Sequence, residues 1–330
     1  MKQLVKNVKI IGTGSYVPET VYTNAYLETI LETNSKWIFE NLGINERRIA
    51  APEETTSSLA AQAGLNAINA SGLTVDDIDL IIVATATPDR LAPSTAAIVQ
   101  DKLKAYNSVA FDISAVCSGF LYGMSVASQY VATGVYNNVL VIGADTFSRI
   151  TDWKRRDAVF FGDGAGAAIF SSTNQDEGFL ACRLYTDGRG KMNFTIPAGG
   201  SEMPASTETV TNGQHFFNMN GRSVYETGTK VLPFAINQVL KDSGLTIDDI
   251  DFMVPHQPSI KILQKTAELI GLQWEKVMTN MDRYANTSGG TIPILLDEVN
   301  RSGKIQKGNL ILFAAVGSGW TYGASILKWS

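Results

Sequence analysis

Residues 71–83, SGLTVDDIDLIIV, return as residues 243–255, SGLTIDDIDFMVP, with eight of thirteen positions identical and most changes made within apolar types. A helical pattern precedes each copy, SLAAQAGLNAINA at 58–70 and VLPFAINQVLKD at 231–242. The glycine that opens each copy, Gly72 or Gly244, ends that helix. The short apolar run behind the acidic loop reads as a buried strand. Outward from the repeat the same order continues. After the first copy come CSGF (117–120), an apolar stretch, Gly134 and NNVLVIGA (137–144). After the second come TSGG (287–290), an apolar stretch, Gly303 and GNLILFAAVG (308–317). Each half therefore reads as strand, helix, strand, with a helix opening at a small-residue turn. Such halves are expected to pack about a pseudo-two-fold axis, so that matching loops meet at the centre. The polar stretch SSTNQDEG (171–178) marks the expected boundary, which divides the chain into residues 1–174 and 175–330.

Composition agrees with a compact α/β protein and removes several function classes. Of the 330 residues, 45% are hydrophobic and 18% charged, the balance of a globular chain. A net charge of -5 offers no basic stripe for nucleic acid, so charged partners must be met by local patches. No run of ~18 apolar residues suggests a membrane helix. The opening MKQLVKNVKIIGTGSY has too short an apolar run for a signal peptide. The two cysteines, Cys117 and Cys182, form no disulfide framework, and no CxxC or His/Cys cluster offers a metal site. This usage fits a reducing cytoplasm.

The repeat gives weight to three residues that are ambiguous one by one. Cys117, in FDISAVCSGFLYGMSVASQYV (111–131), ends a strand-like run and precedes a helical one. A helix N-terminus there favours the thiolate; lowering a thiol from ~8.5 to ~7 is worth about 2 kcal/mol. A small buried hydrophobe is the competing reading of any single cysteine. His256, in FMVPHQPSIKIL (252–263), directly follows the strand of the second repeat, and Pro255 and Pro258 stiffen its loop. Asn286, in RYANTSGGTIPI (283–294), lies at the duplicate of the Cys117 turn; an ordinary turn or cap Asn looks the same. Converging loops would bring the three together, and a Cys with a His and an Asn suits thioester chemistry.

The glycine-rich stretches GTGSYVP (12–18) and FGDGAGAAIF (161–170) lack the complete signature of a nucleotide loop and read as tight turns between buried strands. The closing AAVGSGWTYGASILKW (314–329) reads as strand, Gly turn, strand. Gly317 and Gly319 there would let backbone N–H groups approach a ligand closely.

These motifs, in order, resemble the β-ketoacyl-acyl-carrier-protein synthase III group of the thiolase superfamily nearly end to end: VCSGF (116–120), FGDGAGA (161–167), VPHQPS (254–259), YANTSGG (284–290) and GSGWTYG (317–323). The resemblance implies a five-layer αβαβα thiolase fold and a homodimer, with acyl-coenzyme A and malonyl-acyl carrier protein as substrates and no resident cofactor or metal. Cys117 would take the acyl primer. His256 and Asn286 would hold the malonyl thioester oxygen during decarboxylation. The backbone N–H groups of Cys117 and Ser318 would form the oxyanion hole, Ser318 standing where the family usually has Gly. Trp37, in SKWIFENLGINERR (35–48), matches the aromatic that stacks on adenine, and Arg155, in DWKRRD (152–157), matches its cationic partner. Lys261 matches a contact to the carrier protein.

The chain also departs from the family pattern. Asn41 and Asn45 stand where arginines are usual, Ser259 replaces an Asn, and Glu268 and Leu269 replace a basic pair. Ala92, in PDRLAPSTA (88–96), and Val316 stand where aromatics limit the primer pocket. The larger pocket points to a runner-up, a specialised ketosynthase of secondary metabolism that joins longer acyl or β-ketoacyl thioesters. A non-catalytic carrier-binding protein is the third possibility, opposed by the intact Cys, His and Asn.

Overall fold

The computed structural model describes residues 6–330, so the first five residues of the N-terminal stretch read above lie outside it. In chain order its elements are β1 (Asn7–Tyr16), β2 (Thr20–Thr23), α1 (Asn24–Glu28), α2 (Ser35–Leu42), β3 (Glu46–Ile49), α3 (Thr56–Ser71), β4 (Leu80–Ala84), α4 (Thr95–Leu103), β5 (Val109–Ile113), α5 (Gly119–Ala132), β6 (Asn138–Thr146) and β7 (Asp163–Thr173). After a short connection come β8 (Gly178–Thr186), β9 (Phe194–Thr195), α6 (Thr207–Thr211), β10 (Asn218–Met219), α7 (Gly221–Ser243), β11 (Phe252–Pro255), α8 (Ile260–Ile270), α9 (Met281–Tyr284), α10 (Thr291–Arg301), β12 (Leu310–Gly317) and β13 (Thr321–Lys328).

Local chemistry sets the ends of the repeated helices. Thr55 caps α3 by accepting the Ser58 N–H, and Gly72 closes it with φ 76°. Asn220 caps α7 through the Ser223 N–H, and Gly244 closes it with φ 70°. Both glycines adopt the left-handed conformation that a side chain disfavours.

The strands form two sheets, β1-β7-β6-β4-β5 and β11-β12-β13-β8. β4 runs parallel to β5 and β6, while β7 runs antiparallel to β6 and β1. The second sheet repeats this order, with β11 parallel to β12 and the others antiparallel. Its counterpart of β5 is reduced to a single bridge, Met253 to Val277. Three apolar clusters separate five layers. α3 and α4 pack on the outer face of the first sheet through Leu59, Ala63, Val99 and Leu103. α5 and α10 lie between the sheets, with Phe120, Met124, Ile292 and Leu296 fully buried. α7 and α8 cover the second sheet through Leu232, Ile236, Ile262 and Ala267.

The duplication holds a constant offset of 172 positions, from β4 at Leu80 to β11 at Phe252 and from β6 at Asn138 to β12 at Leu310. The 3₁₀ turn Val116–Ser118 maps to Ser288–Gly290, and the starts of α5 and α10 match likewise. In this register Cys117 corresponds to Gly289, not to the Thr287 that the CSG and TSG letters suggest.

One reading is corrected. The glycine-rich stretches are not turns: Gly14 lies inside β1 and Gly166 inside β7. A Cβ on Gly14 would fall 2.3 Å from Ala67 N, and one on Gly166 would fall 2.4 Å from Ile294 N. The glycines let the backbones of α3 and α10 lie directly on the sheet.

Candidate active site

The two central turns carry the candidate residues into one cleft. Cys117 follows β5 on the 3₁₀ turn Val116–Ser118, two residues before α5, with Val116 in the left-handed region at φ 48°. His256 follows β11, and its N–H donates to Ala314 O at 2.8 Å. Its Nδ1 lies 2.8 Å from Thr291 Oγ1. Asn286 is held by its backbone: its N–H donates to Phe160 O, and its carbonyl accepts from Gly162 N–H, each at 3.1 Å. Asn286 Oδ1 accepts the Ser288 N–H at 2.8 Å, which orients the amide and leaves Nδ2 as its free donor. Cys117, His256 and Asn286 are all buried and line one cleft of about 870 Å³, its open mouth included. Its other walls are mostly apolar, with Phe160, Phe161, Phe194, Met219, Val224 and Trp320 among them.

Burial dominates the electrostatics. It pushes the His256 pKa down to about 3, so the imidazole is neutral in any ordinary buffer. It pushes the Cys117 thiol up to about 12. The nearby Ser288 side chain opposes that rise, and the charge of Asp145 adds to it. The turn has the expected position at the start of α5, and desolvation works against the thiolate that a helix terminus favours. Asp145, at the end of β6, is fully buried. Its oxygens accept from the N–H groups of Ala86, Thr87 and Gly289 and from the hydroxyls of Thr85 and Thr87. It thereby ties the Gly289 turn to the first sheet.

Gly317 lies against the nucleophile turn. A Cβ there would stand 3.0 Å from the amide nitrogens of both Cys117 and Ser118. Its absence keeps the space before the Cys117 N–H open. Neither the Cys117 nor the Ser318 N–H has a carbonyl partner among the described residues. The Ser318 hydroxyl donates to Phe194 O at 2.6 Å, so serine in place of glycine leaves the backbone donor available.

The outer residues divide. Lys261, in the first turn of α8, lines the cleft and donates to Asn41 Oδ1 at 2.6 Å. Val316 lines the cleft, but Ala92 does not. Ala92 is exposed in the segment before α4, and the path of that segment over the surface takes it away from its own chain's cleft. The pairing of Arg155 with Trp37 is also corrected. Arg155 donates to Phe217 O and pairs with Asp157. Its neighbour Arg156 instead lies over Trp37, 4.1 Å from the ring centroid. Ser288, Thr291 and Asp145 were not singled out from sequence; Ser288 and Thr291 sit inside the quoted TSGGT run, and Asp145 is the lone acid ending an apolar strand.

No helix among the described residues is long and apolar enough to cross a membrane. Two family profiles match the chain. The one described as 3-oxoacyl-[acyl-carrier-protein (ACP)] synthase III covers residues 111–188, and its C-terminal counterpart covers residues 240–329. The β-ketoacyl-[acyl-carrier-protein] synthase III of Caldanaerobacter subterraneus subsp. tengcongensis is 48% identical, over 97% of this chain and 97% of its own. That of Clostridioides difficile is 46% identical, over 97% and 98%. The crystal structure of 3-oxoacyl-[acyl-carrier-protein] synthase III from Aquifex aeolicus VF5 superposes with a TM-score of 0.90 at 39% identity, covering 98% of this chain and 100% of that one. On whole-length likeness in both sequence and thiolase fold, the chain belongs to the β-ketoacyl-acyl-carrier-protein synthase III family.

Proposed function

We propose that this chain transfers an acyl primer from coenzyme A to Cys117 and then condenses it with malonyl-acyl carrier protein, giving 3-oxoacyl-acyl carrier protein and carbon dioxide. The observation that carries this reading is the convergence of Cys117, His256 and Asn286 on one apolar cleft. In the first half-reaction the Cys117 sulfur attacks the primer thioester, and coenzyme A leaves with the proton. In the second, the malonyl C–C bond breaks and its electron pair passes into an enolate. Asn286 Nδ2 and a neutral His256 donate to the enolate oxygen. The enolate carbon then attacks the acyl-Cys117 carbonyl, the C–S bond breaks, and the departing Cys117 thiolate takes a proton from water to regenerate the thiol. The N–H groups of Cys117 and Ser318 receive the oxyanion of both tetrahedral intermediates; such donors are each worth about 3 kcal/mol.

Several finer assignments accompany the reading. Trp37 offers a stacking face for adenine, with Arg156 as its cation. Lys261 has no carboxylate partner among the described residues, so its charge is available to attract an acidic carrier protein. Val316 in place of a ring leaves room for a primer longer than acetyl. The chain acts in the cytoplasm as a homodimer built from two duplicated halves that meet near residue 174.

The test separates the two half-reactions. His256→Ala and Asn286→Ala should each lower carbon dioxide release from malonyl-acyl carrier protein by about a hundredfold. Formation of the Cys117 acyl adduct, read by mass spectrometry, should change much less, because the enolate oxygen arises only after malonyl binds. Equal losses in both steps would show that these residues serve the nucleophile instead.

A further inference from the structure

The Trp320 indole has two neighbours that bear on the primer. It lines the cleft together with Val316, and its pyrrole edge fills the place where Gly190 lacks a side chain. A Cβ on Gly190 would fall 2.0 Å from both Cδ1 and Nε1 of Trp320. Nonbonded atoms do not approach so closely, so any side chain at position 190 forces something to move. The backbone around this contact is held. The Asp187 N–H donates to Trp320 O at 2.7 Å, and the Trp320 N–H donates to Asp187 O at 2.6 Å. The Gly190 N–H donates to Asp187 O at 3.3 Å, and the Asn193 N–H donates to Gly190 O at 2.9 Å. Asn193 O in turn accepts the Asn220 N–H at 2.8 Å, beside the β9–β10 pair. The turn Gly188–Gly190 is thus pinned on both sides, and the indole, which rotates about two side-chain torsions, is the part that gives. Trp320 is only 7% exposed. In a close-packed interior the cleft is the open space beside the ring.

We infer that Gly190 determines primer length: its missing side chain gives the Trp320 indole a slot outside the cleft, and the ring's seat in that slot sets the depth of the primer pocket. A methyl at position 190 drives the ring into the cleft, where it takes the space of the outer primer carbons. Gly190 is not part of the cleft wall, so it acts through Trp320 as a positioning residue. The inference rests on reading the cleft as the site that receives the acyl primer.

The probe is a series of saturated acyl-coenzyme A primers from acetyl to decanoyl, with the rate of Cys117 acylation followed by mass spectrometry. The unsubstituted protein should accept octanoyl, and its exclusion would overturn the inference. Gly190→Ala, shown by circular dichroism to fold, should slow octanoyl acylation by about tenfold or more while acetyl stays within about twofold, because each excluded methylene loses about fourfold. An equal loss at every length, or an unchanged profile, would overturn the inference. In a Trp320→Leu background the same methyl meets no indole and should leave the profile unchanged. An equal octanoyl loss there would show that the turn has moved and not the ring, which also overturns the inference. Trp320→Leu by itself should move the optimum toward longer primers, and it keeps the test open should Gly190→Ala fail to fold. An unchanged optimum would mean that the ring does not bound the chain. The crystal structure of Gly190→Ala is an arm that needs no substrate: the indole should be turned into the cleft, and an unmoved ring refutes the inference. If no primer of any length labels Cys117, the reading of function fails on its own, and the position of the ring still decides the inference.

Discussion

At the scale of single residues, burial decides the chemistry more than identity does. The Cys117 thiol, raised to about 12, stays protonated through the neutral range. The reactive thiolate then grows with pH, by about tenfold per unit while pH lies below the pKa. Alkylation of Cys117 by iodoacetamide, followed by mass spectrometry, should therefore climb by about a hundredfold from pH 7 to pH 9 without levelling. A plateau near pH 7 would mean that the start of α5 does stabilise the thiolate. Cys182 is half-buried in β8, away from the cleft, so its replacement by Ser should leave acyl-adduct formation unchanged. Val316 is the second residue with a clear test. It lines the cleft, and each buried CH₂ of a primer adds about 0.8 kcal/mol. A chain-length series should favour medium over acetyl primers. Val316→Phe should shift that preference toward acetyl, and an unsubstituted protein that prefers acetyl over octanoyl would refute the open pocket.

At the scale of elements, the site depends on how closely the central turns approach the strands. Gly143, in β6, meets the turn Ser288–Gly290: a Cβ there would fall 2.0 Å from Gly289 O. That contact is backbone, so the added methyl of Gly143→Ala has no flexible side chain to displace. The turn must move, at a cost of about 1–3 kcal/mol. Thermal melting should fall accordingly, and both half-reactions should suffer, because the turn carries Ser288 and adjoins Asn286. Gly188→Ala is the control, since nothing lies within 4 Å of its added Cβ. Equal melting temperatures for the two variants would show that the contact is slack.

At the scale of the whole molecule, the first sheet ends on an edge that is unpaired among the described residues. β5 is its last strand and is half-exposed, whereas its neighbour β4 is fully buried. Tyr106, Val109 and Leu91 stand exposed around that edge. A parallel, largely apolar edge of this kind invites pairing with a second copy. Light scattering should give about twice the 35.7 kDa of one chain. The Val109 N–H donates inward to Asp79 O, so the N–H of Ala110 points outward. Ala110→Pro removes that outward donor while sparing the bond to β4, and it should shift the protein toward monomer. A monomer before substitution would rule out this assembly. The duplicated architecture and the meeting of Cys117, His256 and Asn286 in one cleft were legible from the chain, because a repeat and its apolar periodicity are properties of residue order. Other features were set by contacts between residues far apart in that order. The thiol's high pKa, the anchoring of Gly289 by Asp145 and the Thr291 hydroxyl beneath His256 all arise where the two halves meet. Arg156 rather than Arg155 reaches Trp37 because adjacent side chains on an irregular segment point in different directions. Ala92 misses its own cleft for a similar reason: a loop's path follows from packing, and no periodic pattern records it.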